Sequence, residues 1–202
     1  LITSIILATL NVSMSSAVAA PGESNWQRTE QTEVRLIAAT NSTGTDGTIH
    51  LGIHFRLKPE WKIYWRSPGD AGFPPRLKWD GSANLKKAVI QWPAPERFSV
   101  LGIQTIGYKD EVVLPVLAIQ KTRNIATTFK AQLSYLACND ICIPYDANLF
   151  LDLPAGDGEP NQFTHLIDSY QSSVPVYNST HGLNIISSQA KETSKKAIIH
   201  LA

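Results

Sequence analysis

Hydrophobic and polar residues alternate with a period of two along most of the chain, which is the pattern of half-buried β-strands. Residues 48–57 show it most clearly, because every second position from Ile49 to Leu57 carries a large apolar side chain. His50, His54 and Arg56 fall on the opposite face, and we predict that both histidines lie on the strand surface. Further strands are predicted at residues 32–38, 61–65, 76–79, 88–92, 112–119, 127–136 and 147–153.

Turns rich in Gly, Pro, Asn and Asp separate these strands at intervals of about a dozen residues, which is typical of a β-sandwich. Two segments are predicted to be loops, residues 67–75 and 96–102. A short helix is expected at residues 161–172, where four apolar side chains share one face (Phe163, Leu166, Ile167 and Tyr170). Residues 154–160 mark the end of the sandwich, and 182–186 and 197–201 are predicted strands of a second, truncated β-domain.

The N-terminal residues resemble a secretory signal peptide. Residues 1–10 form an apolar run too short for a bilayer, which needs about 20 residues. Ala17 and Ala19 fit the small-residue rule for cleavage after position 19. The chain begins with Leu1 and carries no basic segment before the apolar run, so we expect its natural N-terminus to be missing. An exported protein enters an oxidising compartment, where disulfides persist.

Composition limits the function classes. The 202 residues have a formal net charge of +1 with acids and bases interspersed, which argues against a nucleic-acid or polybasic membrane surface. The 43% apolar content is enough for a folded core. Beyond the signal segment no apolar run is long enough to span a membrane.

Two cysteines, Cys138 and Cys142, are the only ones in the sequence. Three intervening residues bring their Cα atoms within disulfide range in a tight turn, and Asn139, Asp140 and Pro144 indicate a hairpin loop between two strands. A ring this short stabilises the fold by only about 2 kcal/mol in the loop-entropy model. The spacing therefore favours a redox pair, which opens and closes during exchange.

Two other interpretations of the pair remain open. The first is an inert disulfide that closes the turn of a non-catalytic interaction module. The second is a Cu(I) site, because two thiolates suit a soft ion of low coordination number. Zinc is disfavoured, since it needs four ligands and the sequence has no second cysteine pair.

Two aromatic segments accompany the cysteines. Residues 61–76 combine Trp61, Tyr64 and Trp65 with a glycine- and proline-rich stretch, which indicates a backbone-dominated loop and only secondarily a docking surface. Residues 96–102 carry Phe98 at their centre, where two interpretations are open: the ring forms a small satellite core, or it shields a reactive disulfide until a partner displaces it.

Four motifs together resemble the N-terminal periplasmic domain of the DsbD/ScsB thiol-disulfide reductases. They are Tyr-Trp-Arg-Ser-Pro-Gly-Asp-Ala-Gly from Tyr64, Trp-Pro-Ala-Pro-Glu-Arg-Phe from Trp92, Gly-Tyr-Lys-Asp-Glu-Val-Val-Leu-Pro-Val from Gly107 and Tyr-Leu-Ala-Cys-Asn-Asp-Ile-Cys-Ile-Pro from Tyr135. The resemblance covers residues 32–153. The three-residue spacer between the cysteines is shorter than that of DsbD itself and is closer to the ScsB-like branch.

The resemblance implies an all-β, immunoglobulin-like antiparallel sandwich with a redox-active cysteine pair and no cofactor or metal. By position, Cys138 and Cys142 match the family's catalytic pair, with Cys142 as the attacking residue. Tyr64 matches an aromatic beside the pair, and Phe98 matches an aromatic that shields it. The implied function is protein-disulfide reduction in the periplasm. There the domain takes electrons from a membrane-embedded domain of the full-length, inner-membrane-anchored chain and passes them to thioredoxin-like proteins.

The expected divisions are 1–19 (signal peptide), 20–158 (exchange domain), 159–175 (helical connector) and 176–202 (second domain).

Overall fold

The strands form two packed sheets. The computed structural model describes residues 22–100, 102–176, 188–193 and 196–201. Sheet I has the strand order β1 (Gln27–Arg28), β2 (Thr32–Ala38), β3 (Thr48–Leu57), β9 (Glu111–Gln120) and β6 (Leu85–Ile90). Sheet II has the order β11 (Cys142–Leu153), β10 (Thr127–Cys138), β4 (Lys62–Gly69), β8 (Ile103–Lys109) and β7 (Glu96–Val100), and β5 (Arg76–Lys78) also pairs with β10. The pairings are antiparallel, which confirms the predicted sandwich.

The core lies between the two sheets and follows the predicted alternation. Every second residue from Ile49 to Leu57 is buried, as the sequence pattern of β3 requires. On β10 every second residue from position 127 to position 137 is buried as well. The rings of Phe55 and Tyr135, one from each sheet, meet edge to face at 5.1 Å.

The helix α1 (Thr164–Ser172) packs on the outer face of sheet I. Phe163 and Ile167 are buried there in a cluster with Ile37 and Val113. Asn161 fixes the start of the helix, because its side-chain oxygen accepts the backbone N–H of Phe163 at 2.8 Å. The predicted helix is therefore confirmed, but it begins three residues later than expected.

The structure differs from the sequence-based expectations in several places, and strands β1 and β8 were not predicted. Residues 96–102, predicted as a loop, include strand β7, which pairs with β8 to form a hairpin that the pattern did not reveal. Strand β4 extends to Gly69, into the loop expected from residue 67. His54, predicted on the surface, is 1% exposed because Trp26 packs against it at 4.9 Å between ring centroids. His50 is exposed, as predicted.

A separate hairpin is formed by β12 (Ser188–Thr193) and β13 (Lys196–Leu201). The second strand confirms the prediction for residues 197–201. The strand predicted at residues 182–186 lies outside the described residues. In the part of the chain that the structure describes, no helix is long and apolar enough to cross a membrane.

Candidate active site

The cysteines lie at the tip of the β10–β11 hairpin. Cys138 is the last residue of β10 and pairs in register with Cys142, the first residue of β11. Their sulfurs form a disulfide, with the two Cα atoms 4.1 Å apart. The turn is closed by a hydrogen bond of 3.0 Å from the N–H of Asn139 to the carbonyl of Ile141. The predicted hairpin loop between the cysteines is therefore confirmed.

The two cysteines differ in their access to solvent. Cys138 is fully buried, although it is the last residue of its strand, whereas Cys142 is exposed. Cys138 forms a small cluster with Tyr64, and the half-buried Phe98 and Leu136 pack against that cluster. An external thiol can therefore approach the disulfide from the side of Cys142.

Tyr64 contacts the sulfur directly. Its hydroxyl donates a hydrogen bond to Sγ of Cys138 at 2.9 Å and lies 3.8 Å from Sγ of Cys142. Burial raises the pKa of the Tyr64 hydroxyl, so the group keeps its proton and acts as a donor. Such a donor stabilises negative charge on the sulfur that it faces.

The loop after β4 holds the Tyr64 ring in place. Gly72 lies against the ring so closely that a Cβ atom added there would sit 2.3 Å from Cζ of Tyr64. Gly72 also has φ of +91°, a conformation that favours glycine. Both the space and the backbone conformation at this position therefore require glycine.

Phe98 reaches the site from strand β7. Its carbonyl accepts a hydrogen bond from the hydroxyl of Thr105 at 3.1 Å, which ties this strand to β8. Lys62 is the cross-strand partner of Cys138, and its ammonium group lies 5.5 Å from the centroid of the Phe98 ring. This distance is within the range of a cation–π interaction, so Lys62 helps to hold Phe98.

The structure thus brings all four predicted site residues together, Cys138, Cys142, Tyr64 and Phe98. Sequence reasoning missed Lys62 and Gly72. Alternation along β4 was a usable signal for Lys62, because residues two apart on a strand share a face. No sequence signal identified Gly72 as the residue that packs on Tyr64.

The buried histidine, His54, interacts with residues of sheet I. Nε2 of His54 lies 2.7 Å from a carboxylate oxygen of Glu111, and Nδ1 lies 3.3 Å from the Nε of Arg35, on sheet I. Among the described residues, no group of three or more His, Cys, Asp or Glu side chains could hold a metal ion.

Comparison with known proteins identifies the family of the chain. Residues 30–154 match the family described as thiol:disulfide interchange protein DsbD, N-terminal. The N-terminal periplasmic domain of ScsB from Proteus mirabilis superimposes with a TM-score of 0.70 and 28% identity, over 90% of this chain and 69% of that one. The reduced N-terminal domain of Neisseria meningitidis DsbD gives a TM-score of 0.34 and 13% identity, over 64% of this chain and 90% of that one. No curated protein matches the chain.

The family match covers strands β2 to β11, including the hairpin that carries the cysteines, so the family and the immunoglobulin-like fold that the motifs predicted are both confirmed. The chain belongs to the family of DsbD N-terminal domains and contains a thiol-disulfide exchange domain similar to that of ScsB.

Proposed function

We propose that Cys138 and Cys142 are the catalytic pair of a periplasmic protein-disulfide reductase. The domain takes electrons from a membrane-embedded redox domain of the same full-length protein and passes them to thioredoxin-like proteins. The observation that carries the proposal is the unequal exposure of the two sulfurs, since Cys142 is accessible and Cys138 is buried. A pair that exchanges disulfides needs one sulfur that partners can reach and another that resolves the complex.

In the delivering direction, the Cys142 thiolate attacks a sulfur of the partner's disulfide. One partner sulfur leaves as a thiolate, and a mixed disulfide joins the other to Cys142. The Cys138 thiolate then attacks Sγ of Cys142, and the second partner sulfur leaves. The partner gains two electrons, and Cys138 and Cys142 end as a disulfide.

Tyr64 and Phe98 support this chemistry from the buried side. When a reductant attacks Sγ of Cys142, Cys138 becomes the leaving thiolate, and the Tyr64 hydroxyl is positioned to stabilise its charge. Phe98 packs against the cluster that contains Cys138, which supports its role as a shield against stray thiols.

The surrounding regions complete the proposal. Residues 1–19 are a signal peptide, 20–158 the exchange domain, 159–175 a helical connector and 176–202 the start of a second β-domain. The periplasmic origin of the ScsB domain supports the same compartment for this chain. Full-length anchoring in the inner membrane follows from the proposed relay.

Trapping of mixed disulfides tests the assignment of Cys142. The probe is a thioredoxin that retains only its first active-site cysteine, activated as a mixed disulfide with 5-thio-2-nitrobenzoate. Cys138→Ala leaves the exposed thiol and should form a covalent complex, with release of the coloured thiolate. Cys142→Ala leaves the buried thiol and should react at least about tenfold more slowly, because reactivity follows access. Equal rates, or no complex with either variant, would contradict the proposal.

A further inference from the structure

Ile141 is a large apolar side chain held in solvent beside the accessible sulfur. It immediately precedes Cys142 in the hairpin turn and is 61% exposed. Asn139 and Asp140 are ordinary turn residues, whereas a β-branched apolar residue is not favoured in a turn. A single exposed isoleucine needs no explanation by itself. Its position next to the reactive atom is what distinguishes this one.

The surface on the other side of Cys142 is also apolar. Pro144 is exposed, and it lies two residues further along β11 on the same face as Cys142. Its cross-strand partner is Leu136, which packs beside Cys138. Ile141, Pro144 and Leu136 together form an apolar rim around the exposed cysteine.

Any protein that exchanges disulfides here has to cover this rim. In the mixed disulfide its sulfur lies about 2.05 Å from Sγ of Cys142, and the Cα atom of Ile141 is about 3.8 Å from that of Cys142. Burial of Cys138 restricts the approach to this side. The partner's surface around its own cysteine must therefore lie on Ile141, whereas a small thiol can reach the sulfur without that contact.

We infer that Ile141 determines specificity, because it selects protein partners whose reactive cysteine is bordered by apolar side chains. This inference rests on the proposed exchange function. Removal of apolar surface from water stabilises the encounter in proportion to the area covered. A polar border on the partner would leave the rim in contact with unsatisfied polar groups, so such a partner should react more slowly.

The test compares two capped cysteine peptides of equal length, one with Leu and one with Ser on each side of the cysteine, together with dithiothreitol. Each thiol is added in excess to the oxidised protein, and the initial rate of reaction is measured by acid quenching and mass spectrometry. The attacking peptide thiolate bonds to Sγ of Cys142, and Cys138 leaves as a thiolate. We expect the Leu peptide to react about tenfold faster than the Ser peptide with the wild-type protein, a difference equivalent to about 1.4 kcal/mol.

Ile141→Ser should reduce this preference to less than about twofold and leave the dithiothreitol rate within about twofold of wild type. Ile125→Ser is the matched control, because Ile125 is 48% exposed and precedes the other end of β10, a strand about 36 Å long at 3.3 Å per residue. The control should keep the tenfold preference. If Ile141→Ser keeps the wild-type preference for the Leu peptide, the inference about Ile141 is wrong, but the proposed exchange function still stands. If no thiol reduces the wild-type disulfide, both the proposed function and the inference are wrong.

Discussion

The hydroxyl of Tyr64 donates a hydrogen bond to Sγ of Cys138 across 2.9 Å, inside a cluster from which solvent is excluded. These residues are 74 positions apart in the chain and meet because β4 and β10 are neighbours in sheet II. The contact gives the less accessible sulfur of the disulfide a protonated partner. This sulfur is the one that leaves as a thiolate when Cys142 is attacked.

Tyr64→Phe should slow reduction of the disulfide by dithiothreitol about tenfold. Hydrogen bonds to charged groups contribute about 1.5–3 kcal/mol, and the substitution removes the bond that the leaving Cys138 thiolate would accept. The free energy of unfolding should change little, because a disulfide sulfur is a weak hydrogen-bond acceptor and loses little when its donor is removed. The measurements are the second-order rate of reduction and the urea midpoint.

Tyr108→Phe is the matched control for this substitution. Tyr108 is also buried, and its hydroxyl donates to the carbonyl of Pro93 at 2.9 Å, away from the cysteines. Loss of the Tyr108 hydroxyl should lower the free energy of unfolding without changing the rate at which dithiothreitol reduces the disulfide. A Tyr64→Phe rate equal to that of wild type would show that the hydroxyl has no part in exchange.

Gly72→Ala should disturb the same contact from the other side of the ring. The new Cβ would overlap the Tyr64 ring, so the ring has to move, and we expect a loss of stability of about 2–4 kcal/mol together with slower reduction. Gly102→Ala is the control, because φ is +80° there and the described residues place no atom within 4 Å of an added Cβ. It should show the backbone cost alone, about 1 kcal/mol. Equal effects of the two substitutions would mean that Gly72 does not position Tyr64.

Periodicity predicted local structure well and contacts between distant strands poorly. The alternation from Ile49 to Leu57 identified both the strand and its buried face, because burial on one face of a sheet imposes a period of two. The strand β7 was missed, since Glu96 and Arg97 are consecutive polar residues that obscure the alternation. Gly72 could not be connected to Tyr64, because a loop's path over a side chain leaves no periodic signal.

The same contrast between local features and contacts across distant strands applies to the site residues. Short spacing was enough to associate Cys138 with Cys142, the aromatic at the centre of residues 96–102 suggested Phe98, and the family motifs added Tyr64. The burial of one sulfur and the exposure of the other depend on the pairing of β4 with β10, which sequence spacing does not specify. His54 shows the same limit, since its cover comes from Trp26, a residue 28 positions earlier in the chain.

Phe98→Ala should let small thiols reach the disulfide faster. The half-buried ring packs beside Cys138, so its removal should raise the rate of reduction by glutathione several-fold. The stability cost should be well below the 3–5 kcal/mol typical of a core Phe→Ala substitution. Phe150→Ala is the control, because Phe150 is an exposed aromatic on the distant part of β11. An unchanged rate with a large fall in melting temperature would show that Phe98 is a core residue and not a shield.

Because of His54, the free energy of unfolding should be lower in mild acid than at neutral pH. Burial lowers the pKa of the imidazole, and the neighbouring Arg35 adds to this effect while the hydrogen bond to Glu111 opposes it. Below about pH 6.5 the unfolded chain therefore binds a proton that the folded protein does not, so the free energy of unfolding falls as the pH decreases. Urea unfolding between pH 7.5 and 5.5 measures this slope.

His54→Gln should flatten the slope, since glutamine does not titrate. His50→Gln should retain it, because His50 lies on the same strand with an exposed side chain. If the His54→Gln protein keeps the wild-type slope across this range, another group is responsible.

The equilibrium between the Cys138–Cys142 disulfide and its dithiol tests the central claim most directly. The protein without residues 1–19, the proposed signal peptide, is equilibrated in glutathione and dithiothreitol buffers of defined potential, quenched with an alkylating agent and analysed for its thiol fraction. A pair that relays electrons should titrate reversibly, with a midpoint less negative than about −300 mV. A midpoint well below that value would identify a structural disulfide and contradict the exchange function.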